Sequence, residues 1–288
     1  MSIERNKRMK LPFYIIPKLN NLTNSEMTLY LWLCERKNSF KMIKGVRVSD
    51  LMNLMSKQSF YNALAGLEEK GLIYVWHRQE THDYDIGLWF SPEEEEDKNY
   101  INLHRELFQS EEFKKLNSKE KYLLFTLYMK TSVTISPSGS KAISRMMMEE
   151  FYAEYTKILQ RTKRRIREYL HNLKKFFNII RRKEKDGYKY HIGRNRHTYS
   201  LDKKIPGAGI NIYRKYHIKA MIRRHRLKDA GETFIDDLIK IYRNYIKNYN
   251  DYQMDRYMEK AIMLHAQDNN ETASAARVHE LLRQELEF

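Results

Sequence analysis

The sequence predicts a mainly α-helical protein in which two related helical units, each ending in a small β-hairpin, precede a C-terminal helical domain. Three observations predict this arrangement. Apolar residues recur every three to four positions through much of the 288-residue chain, which is typical of amphipathic helices. A long stretch of the chain repeats itself. A segment with proline and glycine, at 203–210, separates the repeats from a last helical region.

Two blocks of sequence occur twice, which indicates that one structural unit has been duplicated. Residues 21–35 match residues 115–129 at a spacing of 94, and residues 56–73 match residues 162–180 at a spacing of 106. In the second block, the apolar residues Phe60, Leu64 and Leu67 of the first copy align with Ile166, Leu170 and Leu173 of the second copy, respectively. The change in spacing places an insertion of 12 residues in the second copy.

Each copy is predicted to contain a helix, a short helix and a third helix, followed by a two-stranded hairpin. In the first copy, residues 49–55 form the short helix. The third helix begins after Ser56, a favourable N-cap residue, and ends at Gly71, which suits a C-cap. In the second copy Thr162 takes the N-cap position, and the pair Asp186 and Gly187 predicts a type I′ hairpin turn.

These elements divide the chain into four predicted segments. Residues 1–90 and 100–206 hold the two copies, residues 91–99 form an acidic linker, and residues 207–288 form the C-terminal helical domain. The linker is interpreted as a solvated spacer, and the alternative is an acidic strip that masks a basic surface elsewhere in the protein.

The C-terminal domain contains a helix with a continuous apolar face. The residues on this face are Phe234, Leu238, Ile241, Tyr245 and Tyr249. Because a domain this small has little room to bury such a face alone, we expect part of it to meet another chain or a partner protein.

The positive charge of the protein is concentrated in one region. The chain has 53 basic and 37 acidic residues, a net charge of +16. Residues 1–98 carry no net charge, whereas residues 157–196 contain 15 basic and 3 acidic residues, a net charge of +12. Such a concentration predicts a polyanionic ligand, either nucleic acid or an anionic membrane surface. The membrane alternative requires an apolar helical face that is free to enter lipid.

Several classes of protein are not indicated by the sequence. The single cysteine, Cys34, excludes an intramolecular disulfide and is expected to be buried on an apolar helix. Without a secretory signal or an apolar run of about 20 residues, a soluble, cytoplasmic protein is expected. The chain lacks a phosphate-binding loop, a complete dinucleotide-binding motif and a zinc-binding pattern. We therefore expect neither enzymatic activity, nor a cofactor, nor a bound metal.

The basic region contains a helix with two distinct faces. Its apolar face, predicted to enter the core, comprises Ile166, Tyr169, Leu170, Leu173 and Phe177. The other face is basic and includes one acid, Glu168, whereas a solvated helix usually mixes signs for pairing. Because the apolar face is needed for the core, the basic face favours nucleic acid over a membrane.

Three helices followed by a hairpin resemble the winged-helix DNA-binding domains, and both copies carry this resemblance. It implies that the third helix enters the major groove with its N-terminal residues on base edges. Arg164, Arg165 and Arg167 are then candidate readers of guanine. The other candidates on this helix are Lys163, His171, Lys174 and Lys175. Of these, Lys174 and Lys175 are expected to contact phosphates.

The hairpin of the second copy is also basic, and such a hairpin can reach the DNA backbone or a flanking minor groove. Its candidate DNA contacts are Arg181, Arg182, Lys183, Lys185, Lys189, Arg194 and Arg196. The third helix of the first copy is polar but barely charged, with candidates Lys57, Gln58, Tyr61 and Asn62. Two interpretations of the first copy remain open: adenine reading by Gln58 and Asn62, or a dimer surface formed with Tyr74, Trp76, Trp89 and Phe90.

The sequence therefore predicts a sequence-specific protein that binds double-stranded DNA. DNA is favoured over RNA because the motifs of the common RNA-binding modules do not occur. The uneven charge of the two copies resembles plasmid replication initiators, and the start of the first copy also resembles phage replisome organisers. This resemblance implies origin repeats as the ligand and a homo-oligomer or dimer. The alternatives are a transcriptional regulator, or a partition or architectural DNA-binding protein, and contact between residues 211–288 and replication or transcription machinery is a further expectation.

Overall fold

The computed structural model describes residues 8–37, 40–89, 99–133, 143–195, 212–245, 248–268 and 272–286. About 60% of the described residues are helical and the sheets are small and antiparallel, so the predicted mainly α fold with short hairpins is confirmed at this level. In these described ranges no helix is both long enough and apolar enough to cross a membrane.

The two repeats have the same order of elements. The first comprises β1 (Arg8–Pro12), α1 (Ile15–Lys18), a 3-10 helix (Leu19–Asn21), α2 (Asn24–Arg36), β2 (Met42–Val46), a 3-10 helix (Val48–Leu51), α3 (Lys57–Glu69), β3 (Ile73–Arg78) and β4 (Asp83–Leu88). The second comprises β5 (Tyr100–His104), α4 (Arg105–Gln109), α5 (Glu111–Lys114), α6 (Ser118–Val133), β6 (Ile143–Met147), α7 (Met148–Leu159), α8 (Lys163–Asn172), a 3-10 helix (Leu173–Lys175), β7 (Phe177–Glu184) and β8 (Gly187–Arg194). Four C-terminal helices follow: α9 (Ile212–Arg224), α10 (Glu232–Tyr245), α11 (Asp251–Gln267) and α12 (Ala275–Leu286).

Each predicted hairpin belongs to a three-stranded antiparallel sheet. The strand orders are β2-β4-β3 and β6-β8-β7, which are equivalent in the two repeats. The two hairpins also have the same register: Tyr74, the second residue of β3, pairs with Gly87, and Asn178, the second residue of β7, pairs with Gly193. Strands β2 and β6 were not predicted from the sequence, because each is a short segment without a clear alternating pattern.

Local signals fix the ends of the third helices as predicted. The side chain of Ser56 accepts a hydrogen bond from the backbone N–H of Ser59 at 3.2 Å, and Thr162 accepts one from Arg165 at 3.4 Å. Gly71, just past α3, has a φ of +63°, a conformation in which glycine is unstrained. The expected type I′ turn is wrong: Gly187, with a φ of +123°, begins β8 and lies outside the two-residue loop.

The contacts group the chain into two compact units, and each unit is built from two separate segments. Unit 1 contains Met1–Met27 and Ser91–Gly209, and unit 2 contains Thr28–Phe90 and Ile210–Phe288. The segments predicted from the sequence, by contrast, run contiguously along the chain. In unit 1, β1 pairs with β5 in an antiparallel ladder, and the Oδ1 atom of Asn24 accepts the backbone N–H of Ser118 at 2.7 Å. These contacts join the start of the first repeat to the second repeat.

In unit 2, helix α9 packs directly on strand β2 of the first repeat. Gly45, with a φ of +70°, lies against Ala220, and a side chain at Gly45 would clash with the Cβ atom of Ala220. Cys34 is buried in the same unit as expected, and burial raises the pKa of its thiol to about 11. The C-terminal helices are therefore part of the unit that contains most of the first repeat.

A buried ion cluster fixes α9 to strand β4. The Arg224 guanidinium binds both carboxylate oxygens of Asp83, each at 3.1 Å, and also contacts Asp85. The side chains of Arg224, Asp83 and Asp85 are only 4%, 0% and 9% exposed. Burial raises the pKa of Asp85, but the charge and hydrogen bonds of Arg224 outweigh burial and lower this pKa overall. Arg224 thus stabilises the charged form of Asp85 inside the unit.

The apolar face of α10 lies in the core that the C-terminal helices form together. Leu238 is fully buried, Phe234 is 7% exposed, and Ile241, Tyr245 and Tyr249 are partly buried against the same core. The other C-terminal helices therefore cover Phe234 and Leu238. The expectation that part of this face meets another chain stays a prediction, because Ile241, Tyr245 and Tyr249 keep part of their surface exposed.

We predict that Arg224→Ala lowers the free energy of unfolding of unit 2 by about 3–5 kcal/mol, because the fully buried Asp83 carboxylate loses both hydrogen bonds from the guanidinium, whereas Asp85 keeps Arg78 as its cation. All three tryptophans of the chain, Trp32, Trp76 and Trp89, lie in this unit, so tryptophan fluorescence during urea unfolding reports its stability. Arg256→Ala, which removes the same charge from an exposed position on α11, is the control. Equal losses in the two variants would contradict the prediction.

Candidate nucleic-acid interface

Helix α8 is held in unit 1 by the apolar face predicted from the sequence. Ile166 and Leu173 are fully buried, and Tyr169 and Leu170 are less than 5% exposed. Phe177, the last residue of this stripe, is fully buried at the start of β7. This packing leaves the opposite face of α8 on the surface of the unit.

The predicted basic residues of α8 and of the following turn are brought together at this surface. All are exposed: Lys163, Arg164, Arg165, Arg167, His171, Lys174 and Lys175. Three of them have acidic neighbours. Arg165 binds Glu168 at 2.6 Å, Arg164 lies 3.6 Å from the same carboxylate, and Lys175 lies 3.7 Å from Glu112.

Arg165 and Arg167 have further contacts that orient their guanidinium groups. Hydrogen bonding to Glu168 and Tyr169 raises the pKa of Arg165, whose guanidinium carbon lies 5.4 Å from the centre of the Tyr169 ring. The Tyr152 hydroxyl similarly raises the pKa of Arg167. Tyr152 is itself hydrogen-bonded to the hydroxyl of Tyr190 at 2.6 Å. Arg165 is therefore held by the Glu168 carboxylate and lies beside the Tyr169 ring.

The β7–β8 hairpin presents a second group of predicted cations. The exposed cations are Arg181, Arg182, Lys183 and Lys185. The Arg181 guanidinium stacks on the Tyr188 ring, with its central carbon 3.8 Å from the centre of the ring. Lys189 is partly buried and pairs with Glu184 at 3.0 Å and with Asp186 at 3.4 Å. Its charge is thus largely neutralised within the hairpin.

Arg194 has a different position from the other predicted cations. Its Nε atom donates to the Thr131 hydroxyl at 3.0 Å, and its Nη2 atom donates to the Tyr128 carbonyl at 3.1 Å. These contacts join the end of β8 to helix α6, so Arg194 contributes to the packing of unit 1. Arg196 lies outside the described residues.

Three residues of this surface were not predicted from the sequence. Arg161 is exposed one position before the cap of α8, and Arg145 is exposed on β6 opposite His191. Tyr188 orients Arg181 by ring stacking. Arg161 could have been found, because it belongs to the basic run before α8. Arg145 could not, because strand β6 was not predicted.

The third helix of the first repeat has different chemistry at equivalent positions. Lys57, Gln58, Tyr61 and Asn62 are all exposed on α3, 106 positions before Lys163, Arg164, Arg167 and Glu168. The Gln58 side-chain amide donates to Asn62 at 2.9 Å. Thus α3 presents one cation where α8 presents a cluster.

Exposed aromatic rings lie on the sheet of the first repeat. Tyr74, Trp76 and Trp89 are 40%, 51% and 38% exposed, and the Tyr74 and Trp89 ring centres are 4.8 Å apart. Gly87 provides room for the Trp76 ring, because a Cβ atom at Gly87 would lie 3.3 Å from it. We call Tyr74, Trp76 and Trp89 the aromatic patch. Phe90, predicted to belong to it, lies outside the described residues.

Within the part of the chain that the structure describes, no group of three or more histidine, cysteine or acidic residues is arranged to hold a metal ion. No model of a known protein family, no curated protein and no solved structure matches the chain. The chemistry and placement of the exposed residues are therefore the basis for assigning a function.

Proposed function

We propose that the protein is a sequence-specific double-stranded DNA-binding protein with two tandem winged-helix domains and a C-terminal helical domain. The observation that carries the proposal is the exposed basic face of α8 and the following 3-10 helix, which presents six lysines and arginines and His171 opposite a buried apolar side. A winged-helix arrangement is supported by the order of helices in each repeat and by the hairpin that follows α3 and α8.

In this proposal α8 enters the major groove, because its first turn exposes Lys163, Arg164 and Arg165. Arg165 and Arg167 contact base edges, since both are exposed on this helix and a guanidinium group can bind guanine through two hydrogen bonds. Lys174 and Lys175, at the far end, contact phosphates, and the exposed cations of the β7–β8 hairpin contact the backbone beside the groove.

The first repeat has a different role in this proposal. Its α3 helix offers Lys57 as an exposed cation, and the amides of Gln58 and Asn62 bind each other. The aromatic patch supports the interpretation that the first repeat forms a protein–protein surface, because exposed clusters of large apolar rings are typical of such surfaces. A homo-oligomer is therefore proposed, with the patch at its interface.

A contact between residues 211–288 and replication or transcription machinery remains part of the proposal. It would use the partly exposed residues Ile241, Tyr245 and Tyr249 together with exposed positions of α11 and α12, because Phe234 and Leu238 are buried within unit 2.

We predict that the protein prefers particular duplex sequences and that its affinity depends strongly on salt. If about six phosphates are contacted, affinity should fall about 10³-fold between about 50 and 200 mM salt, because bound counterions are released on binding. Lys163→Ala should reduce the slope of log affinity against log salt concentration by about one. Fluorescence anisotropy with labelled duplexes measures both quantities.

Lys57→Ala is the matched control, because Lys57 is the equivalent first residue of α3 and is equally exposed. Its salt slope should equal that of the unmodified protein. Affinity that does not change with salt would exclude the electrostatic interface. Equal effects of Lys57→Ala and Lys163→Ala would instead place both third helices on DNA.

We predict that the biological role is replication initiation at origin repeats. A plasmid carrying the gene and its flanking DNA should replicate only when the protein is intact, and loss of α8 cations should abolish replication. If the plasmid replicates without the protein while transcription from the flanking DNA changes, the protein is a transcriptional regulator. Unequal inheritance of the plasmid with unchanged replication would indicate a partition or architectural role.

We predict that Trp76→Ser weakens self-association, because it removes the most exposed ring of the aromatic patch. Sedimentation velocity over a range of concentrations should show a shift toward monomer. Met52→Ser is the control, because Met52 is also exposed, at 57%, but is not part of the patch. A protein that is monomeric in its unmodified form would rule out the dimer surface.

A further inference from the structure

We propose that Glu168 is a positioning residue that sets the base preference of α8 by holding Arg165. This inference rests on the proposed function and deepens it, because it identifies the arginine that discriminates between bases and the group that orients it. It also names the feature of the ligand that is read, a guanine edge in the major groove of duplex DNA.

The contact between Glu168 and Arg165 is close and specific. The Nη1 atom of Arg165 donates to the Oε2 atom of Glu168 at 2.6 Å, and the guanidinium also lies against the Tyr169 ring. The two side chains are 54% and 44% exposed, so the pair lies at the surface that would face DNA. Arg165 is therefore oriented before any ligand arrives.

Arg164 is held much less firmly by the same carboxylate. Its Nε atom lies 3.6 Å from the Oε1 atom of Glu168, and its side chain is 90% exposed. Its Nη atoms are available to either a base or a phosphate. The two neighbouring arginines thus differ in the way expected of an oriented base reader and an adaptable backbone contact.

The position of Glu168 has a counterpart in the other repeat. Asn62 is equivalent to Glu168, and its side chain accepts a hydrogen bond at 2.9 Å from Gln58, the equivalent of Arg164. In both third helices, the side chain at this position therefore contacts a residue of the first turn. The contact with Arg165 belongs to the second repeat, because Ser59 takes the equivalent position in the first repeat.

Glu168 is also the one acid in the strongly basic segment 157–183. An arginine on a flexible side chain can bind any phosphate, which adds affinity without discrimination. A carboxylate beside it repels phosphates and holds the guanidinium in one orientation, so that less conformational entropy is lost when it meets a guanine. Both effects weaken non-specific binding more than specific binding.

The test compares Glu168→Ala with Glu150→Ala, using the full-length protein. Glu150 is exposed on α7, so its variant removes the same charge from the same unit but leaves α8 unchanged. Selection from a random duplex pool identifies the preferred site of the unmodified protein. Affinities are then measured for that duplex and for a shuffled duplex of equal composition, and circular dichroism checks folding.

The expected result is that Glu168→Ala binds the shuffled duplex about 2- to 5-fold more tightly and gains little or nothing on the preferred duplex. The ratio of the two affinities then falls, and repeated selection shows a weaker preference at one guanine. Glu150→Ala should change both affinities by the same factor. Glu168→Gln, which keeps an acceptor for Arg165, should restore part of the lost ratio.

Equal affinity ratios in the unmodified protein, Glu168→Ala and Glu150→Ala would overturn the inference and leave the proposed function intact. The same conclusion holds if Glu168→Gln loses as much discrimination as Glu168→Ala. If the unmodified protein prefers no sequence in the selection, sequence-specific binding fails, and the role of Glu168 fails with it.

Discussion

The arrangement of this protein depends on the buried ion cluster of Arg224, Asp83 and Asp85. A carboxylate that is taken out of water without a partner is strongly destabilising, so the acidic strand β4 requires a cation. Arg224, at the end of α9, supplies it. This requirement explains why the C-terminal helices join the first repeat, although the second repeat precedes them directly along the chain.

The second repeat has the opposite chemistry at the equivalent strand positions. Asp83 and Asp85 take the same positions in β4 that Lys189 and His191 take in β8. This correspondence follows from the strand register, because Asp83 pairs with Arg78 in one sheet and Lys189 pairs with Arg182 in the other. A strand with Lys189 and His191 offers no binding site for Arg224. Two similar sheets thus differ by a few charges: one binds a helix of its own chain, and the other belongs to the most basic part of the protein.

The division of charge also relates the fold to the proposed function. In the first repeat, Asp83 and Asp85 are used internally, α3 exposes Lys57 as its one cation, and the sheet carries the aromatic patch. The second repeat exposes its cations on α8 and on the β7–β8 hairpin. Within that surface, Glu168 reduces the net charge of α8 and orders Arg165. In the proposed role, the lower charge weakens binding to any DNA, and the ordered Arg165 increases discrimination between bases. Electrostatic attraction and base reading are therefore assigned to different side chains of one helix.

The amino-acid sequence by itself determined the features that depend on short-range order. It predicted the duplication, the caps at Ser56 and Thr162, and the buried face of α8, because helix periodicity and capping involve residues only a few positions apart. It also indicated which cations of α8 are exposed, since a helix that buries one face must expose the other. For the same reason, most of the candidate site could be placed before the structure was known.

Only the tertiary structure decided the features that depend on contacts between distant segments. Strands β2 and β6 are too short to be identified without their partners, and the pairing of β1 with β5 joins residues about 90 positions apart. Arg194 resembled the other hairpin cations in sequence, yet its partners on α6 precede it by more than 60 residues. The pairing of Arg224 with Asp83 spans 141 residues, and no local pattern specifies it, because a buried charge selects its partner by position in space.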